Sequence, residues 1–223
     1  MEKFKVLEIQ KRVYDNNDLK AEVLRTDLKK NKTFLMNLMS SPGSGKTTSV
    51  VATINKLKEQ FKIGVIEADL DSDVDAKTVA KSGAKVMQLH SGGMCHLDAG
   101  MSREGLDVLD YKNLDFVILE NIGNLICPAS YDLGQTKNVM ILSVPEGDDK
   151  PLKYPKMFSK VDVLLISKVD TVSVFNFDFE AVTERVKKLN PTIKVFPISA
   201  LKGDGMDEWC SWLSNEINKW NEV

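Results

Sequence analysis

The chain has 223 residues, of which 43% are hydrophobic and 28% charged, and its net charge is −2. That size and apolar content suit one α/β unit with a real core, and the faintly acidic balance, with no basic stripe, argues against a nucleic-acid partner. No apolar run approaches the roughly 18–20 residues of a membrane span, the opening Met1-Glu2-Lys3-Phe4-Lys5 carries no signal-peptide stretch, and three scattered cysteines make no disulfide framework.

The expectation is therefore a cytoplasmic protein with free thiols. Residues 1–32 are polar, with apolar positions at Val6, Ile9, Val13, Leu19, Val23, Leu24 and Leu28. This roughly helical spacing predicts a helical N-terminal arm, broken near Asp15-Asn16-Asn17-Asp18. From residue 33 to 223 short apolar runs alternate with helical periods. The runs are 34–39, 63–66, 85–89, 116–119, 139–144, 163–166 and 194–198; the clearest helical stretches are 47–60, 178–189 and 206–220. Val/Ile/Leu runs separated by helices predict a largely parallel central sheet with helices on both faces.

The first run leads into Ser40-Ser41-Pro42-Gly43-Ser44-Gly45-Lys46-Thr47 and then a helix, the setting of a P-loop NTPase. Gly43, Ser44 and Gly45 let backbone amides close on phosphate oxygens, and the helix start at Gly45 favours an anion. Lys46 is placed to reach the β- and γ-phosphates, Thr47 to offer a hydroxyl to Mg²⁺, and Thr48 to extend the first helical turn beside the nucleotide. Ser40 stands where the pattern expects glycine.

At the end of the second run Glu67-Ala68-Asp69 is followed by Asp71, Asp73 and Asp75, and the fourth run ends in Glu120-Asn121-Ile122-Gly123. Acidic residues ending parallel strands lie where such sheets bind ligands, so Asp69 and Glu120, with Thr47, are the expected Mg²⁺ and catalytic residues. Glu-x-x-Gly spacing marks a switch, with Gly123 expected in a backbone geometry that other residues resist. No residue stands out to orient an attacking water, so slow intrinsic hydrolysis is expected.

Adjacent Cys95 and His96 follow a Gly-rich segment, and Cys127 lies four residues past Gly123. Thiolate and imidazole suit borderline-soft ions such as Zn²⁺ or Ni²⁺. His90 reads as a polar strand end and Cys210, between Trp209 and Trp212, as core. Downstream, Ser167-Lys168-Val169-Asp170 ends the sixth run and Ile198-Ser199-Ala200-Leu201 the seventh. Asp170 could accept from guanine N1–H and its amino group, Lys168 could pack on the base, and Ser199 and Ala200 could close the pocket. Ser167 occupies the place of the base-reading asparagine of GTPases, which leaves one polar contact open.

Taken together, Asn37 through Thr47, Cys95-His96-Leu97-Asp98-Ala99, Glu120 through Ala129, Pro145 through Pro155 and Gly205-Met206-Asp207 resemble the HypB family, the nickel-inserting GTPases of hydrogenase maturation. The resemblance covers roughly residues 33–215. It implies a GTPase that uses GTP and Mg²⁺ and carries Ni²⁺ or Zn²⁺ on Cys95, His96 and Cys127. It further implies a nucleotide-dependent homodimer sharing that metal site, a HypA-type nickel/zinc accessory partner, and a hydrogenase large-subunit precursor as client. The first 33 residues hold neither the Cys-rich motif nor the His tract of some members. A urease-type accessory GTPase is the related alternative; there the metal residues are expected in a Cys-Pro-His segment. A metal-binding interaction module with little turnover is the alternative of another class.

Overall fold

The computed structural model describes residues 9–69 and 74–222, with the side chains of 9–13, 69 and 74 outside the description. The chain opens with a helix, α1 (Ile9–Lys30), and enters the sheet at β1 (Phe34–Ser40). The next crossovers give α2 (Lys46–Leu57), β2 (Ile63–Asp69), α3 (Val74–Ala80) and β3 (Lys85–His90). Then come α4 (Ala99–Leu109), β4 (Phe116–Glu120), β5 (Lys137–Ser143) and two short helices, α5 (Lys150–Lys153) and α6 (Pro155–Lys160). The chain finishes through β6 (Val163–Ser167), α7 (Phe179–Leu189), β7 (Lys194–Pro197) and α8 (Met206–Asn221).

The seven strands form one sheet in the order β3-β2-β4-β1-β5-β6-β7, and every pairing is parallel. Parallel strands bury both faces, and β1, β4 and β6 are buried at every position. Alternation sends Phe34, Met36 and Leu38 to the face covered by Val50, Ile54 and Leu57 of α2 and by Trp209, Leu213 and Ile217 of α8. The opposite face holds two apolar clusters. One joins Met39 and Met140 to α6 and α7; the other joins Leu35 and Val117 to α1 and α4. Asn37 lies between Leu35 and Met39 on that face, donates to Asn138 Oδ1 at 2.8 Å and accepts from Asn121 Nδ2 at 3.0 Å. An amide seam thus runs from β5 through β1 to the residue after β4 and leaves no amide oxygen of Asn37 or Asn121 without a donor, since Asn121 Oδ1 accepts from Ile122 N at 2.8 Å.

The N-terminal helix corrects one expectation: α1 runs unbroken through Asp15-Asn16-Asn17-Asp18. The turn-favouring residues are overruled by tertiary bonds. Asn17 is buried, donates to Asp132 O at 2.8 Å and accepts from Ala99 N at 2.9 Å. Ala21, Leu24 and Leu28 follow on the same buried face, Arg25 grips both oxygens of Asp132 at 2.6 and 2.7 Å, and Arg103 of α4 pairs with Asp27. Leu19 and Val23, counted among the apolar positions, instead face solvent at 69% and 60% exposure. Val6 lies outside the described residues, as do Asp71 and Asp73. No helix of the described residues is long and apolar enough to cross a membrane.

Candidate functional site

The expected phosphate residues run from the loop at the carboxyl edge of β1 into the first turn of α2. Gly43 and Gly45 adopt left-handed backbones, φ 74° and 94°, which is the conformational freedom the loop asks of glycine. Gly45 caps α2 without any side-chain bond, so the first amides of the helix, at Lys46, Thr47 and Thr48, point toward an anion site without a protein cap. Ser44 is buried and its Oγ has no hydrogen-bond partner among the described residues, an orphan that a phosphate oxygen would satisfy. Ser40 is accommodated in the glycine position because its hydroxyl turns inward and donates to Ser41 O at 2.7 Å.

Two carboxyls stand beside Lys46. The β2–β4 register sets Glu67 opposite Glu120, on the face that α2 covers, and the pair is 2% and 3% exposed. Lys46 Nζ lies 3.8 Å from Glu120 Oε1. Burial, and then the neighbouring Glu120, push the Glu67 carboxyl up to about 9. Glu67 Oε1 has no hydrogen-bond partner among the described residues. A hard divalent cation, with its preference for carboxylate oxygen, fits such a pair. Of Glu67-Ala68-Asp69, the position at the strand end favours Asp69, whereas the register sets Glu67 opposite Glu120. Asp69 ends β2 in register with His90 of β3, and its side chain lies outside the description. Two acidic residues near the ends of apolar runs were the available signal; that β2 and β4 are neighbours was not.

The base-pocket residues also converge. Gly45, Thr48, Ser167, Lys168, Asp170, Ser199 and Ala200 line a cavity of about 290 Å³. Ser199 Oγ donates to Asp170 Oδ1 at 2.6 Å, which aims the carboxylate. Lys168 adopts a left-handed backbone, φ 59°, and its Nζ donates to Gly43 O at 2.7 Å, so its stem crosses the phosphate loop. Ser167 resolves the contact left open: its hydroxyl donates to Ser44 O at 2.7 Å, tying β6 to the loop.

The thiol loops lie beyond the turn that follows β4. Cys95 Sγ donates to Cys127 Sγ at 2.8 Å, and His96 Nδ1 is 3.8 Å from Cys95 Sγ. The hydrogen bond shared with Cys95, and then burial, favour the protonated Cys127 and raise its thiol. Asn124 Oδ1 accepts from the amides of Ile126 at 2.8 Å and Cys127 at 3.3 Å, and its Nδ2 reaches Cys95 O at 3.5 Å. Among the described residues no three Cys, His, Asp or Glu side chains converge on one point. What is present is a thiol pair with an imidazole beside it, a soft-to-borderline donor set. His90 ends β3 and is exposed, and Cys210 is buried among the α8 core residues.

Gly123 corrects a second expectation. It is absent from the glycines with positive φ; what sets it apart is close approach, because a Cβ there would meet Pro42 Cγ at 3.1 Å and Pro42 N at 3.3 Å, a tight contact that Pro42 would have to yield to by a few tenths of an ångström. The phosphate loop and the turn leading to Cys127 are therefore packed against each other.

Residues 34–197 match the family model described as CobW/HypB/UreG, nucleotide-binding domain. The hydrogenase maturation factor HypB of Escherichia coli is 41% identical over 97% of this chain and 74% of its own length. The hydrogenase/urease maturation factor HypB of Helicobacter pylori is 40% identical over 94% of this chain and 87% of its own. Among solved structures, HypB from Helicobacter pylori in complex with nickel superposes with a TM-score of 0.86 at 40% identity, covering 92% of this chain and 96% of that one. HypB from Archaeoglobus fulgidus gives 0.85 at 34%, covering 92% and 100%. The 54 kDa signal recognition particle protein of Aeropyrum pernix, solved with GDP, shares the fold at 14% identity and a TM-score of 0.58, covering 86% of this chain and 49% of that one.

Proposed function

The chain belongs to the CobW/HypB/UreG nucleotide-binding family, on its HypB side, and from that premise we propose that it is a GTP-hydrolysing nickel carrier serving hydrogenase maturation. Residues 33–223 are the GTPase unit and 1–32 an appended helical arm. Gly43 to Thr48 hold the phosphates, and Lys168, Asp170, Ser199 and Ala200 hold guanine. Thr47, Asp69 and Glu120 are the Mg²⁺ and catalytic residues, where the cation would neutralise charge developing on the γ-phosphate. Lys46 adds a fixed positive charge to the same oxygens. Cys95, His96 and Cys127 bind the cargo, Ni²⁺ or Zn²⁺. Since one chain offers three donors, a second copy completes the shell in a nucleotide-dependent homodimer. A HypA-type accessory protein exchanges the metal, and the cytoplasmic client is a hydrogenase large-subunit precursor.

One observation carries this reading: the close packing of Gly123 on Pro42. The turn that runs from Glu120 to Cys127 rests on the phosphate loop, so a rearrangement driven by loss of the γ-phosphate moves a cysteine of the thiol pair. Linkage makes the effect reciprocal: if GTP changes metal affinity, metal changes GTP affinity by the same factor, commonly about five- to 150-fold. The test is nickel titration of one preparation in the GDP and GTP-analogue states, with self-association followed alongside. Different affinities support gating. Identical affinities at matched oligomeric state would leave a GTPase and a metal site with no connection.

A further inference from the structure

The imidazole of His96 is held by a stack of rings that begins in the N-terminal helix. It lies flat on the phenol of Tyr131, with centroids 3.9 Å apart and planes within 10°. Tyr131 packs in turn against Tyr14 of α1, at 5.1 Å and tilted 56°. The same helix pins the backbone beyond both rings. Asn17 bonds Ala99 N, three residues past His96, and Asp132 O, the residue after Tyr131. Both halves of the stack are thus fastened to one element.

Held this way, His96 presents Nδ1 3.8 Å from Cys95 Sγ. A tetrahedral ion with bonds of about 2.3 Å to sulfur and about 2.0 Å to nitrogen spans an S···N edge of roughly 3.5 Å. The imidazole therefore already stands near the separation that one metal ion would impose. An unstacked ring would have to surrender its rotamer freedom when the ion binds, whereas this ring has surrendered it on folding.

We propose that Tyr131, backed by Tyr14, is a positioning residue for His96, and that the seat of α1 thereby sets the affinity of the thiol–imidazole site for a borderline divalent cation. The inference rests on reading Cys95, His96 and Cys127 as metal donors. It makes the first helix a handle on the metal: whatever shifts α1 at Tyr14 loosens the imidazole without touching a ligand.

The test is a Co²⁺ titration of the full chain, read through the visible d–d bands and the thiolate charge-transfer band. Tyr131→Leu is expected to weaken Co²⁺ binding about two- to tenfold, the span of a lost aromatic stack, and to shift the d–d bands as the nitrogen donor is lost. Tyr131→Phe, which keeps the ring on His96 and gives up only the hydroxyl bond to Tyr14, should stay closer to the native protein than Tyr131→Leu, and Tyr14→Leu should weaken binding less and in the same direction. In a His96→Ala background, Tyr131→Leu should have no further effect, which separates positioning from a general loosening; unchanged GTP affinity in each variant serves as the check on folding. Native affinity and spectrum in Tyr131→Leu, or an undiminished loss in the His96→Ala background, would overturn the positioning role. If Cys95→Ala and Cys127→Ala bind Co²⁺ as the native chain does, the metal reading itself falls and takes the positioning role with it.

Discussion

The nucleotide end and the thiol end of this molecule are built on different principles. At the first, three side-chain bonds close the loops on one another: Ser167 to Ser44, Lys168 to Gly43 and Ser199 to Asp170. The groups that await a partner there, Ser44 Oγ and Glu67 Oε1, are already desolvated inside the fold. At the second, Cys95 is exposed, follows two left-handed glycines, and its carbonyl receives a single long bond from Asn124. One end is a preformed receptor, whose cost of ordering is met on folding. The other leaves part of that cost to the binding event, so its occupancy is easily altered by whatever packs around it.

The sharpest way to break the comparison is Lys46→Ala. It should lower GTP turnover by at least about a hundredfold, the scale of a lost transition-state donor, while metal affinity measured without nucleotide stays native. Phosphate release and a nucleotide-free metal titration check it, and weakened metal binding without nucleotide would mean that Lys46 also holds up the thiol end. In the opposite sense, Cys127→Ala should weaken Ni²⁺ binding by more than about tenfold with the GTP affinity of the metal-free protein unchanged. Cys210→Ala, in the α8 core, should leave the metal alone. Asp170→Asn should cost about 1.5–3 kcal/mol of GTP affinity, roughly ten- to hundredfold, and turn the preference toward xanthosine nucleotides. Equal binding of ATP and GTP by the native chain would sink the guanine assignment.

Two smaller effects probe the border between the ends. Gly123→Ala presses a methyl group on Pro42, so it should shrink the ratio of nickel affinities in the two nucleotide states by a few-fold, with no ligand removed. A native ratio would show that this contact transmits nothing. The last effect is on pH. The Glu67 carboxyl sits at about 9 in the fold against about 4.3 in an unfolded chain, so the folded state holds the proton more tightly. Its contribution is complete below the unfolded value and is lost as pH rises through about 9. Without nucleotide and cation, the melting temperature should therefore fall by a few degrees between pH 6 and 9, and Glu67→Gln should flatten that slope. An unchanged slope in the variant would assign the pH dependence to other groups.

The parts legible in the sequence were those that a few adjacent residues determine. The apolar runs fell on strands because both faces of a parallel sheet bury them, and the phosphate loop was readable because its glycines, lysine and threonine act within eight residues. What local pattern leaves out shares one cause. Glu67 gains its neighbour from the β2–β4 register, Gly123 packs closely on Pro42 eighty residues away, and the unbroken α1 owes its continuity to Ala99 and Asp132. Each depends on which distant segments meet, and local pattern carries no such information. Tyr131 gave no signal for the same reason.

The central place of β1 also governs how the molecule can be made. Its neighbours are β4 and β5, which begin about eighty and a hundred residues later in the chain. A nascent chain emerging from the ribosome therefore displays Gly43 to Thr47 long before any strand exists to hold them. Until Ser143 has been synthesised, β1 lacks one of its two flanks, and its unpaired apolar edge is exposed to other chains. Non-local parallel pairing of this kind folds slowly, so the nucleotide receptor is among the last parts of the molecule to exist, and the interval before it closes is when the chain is most open to misassociation.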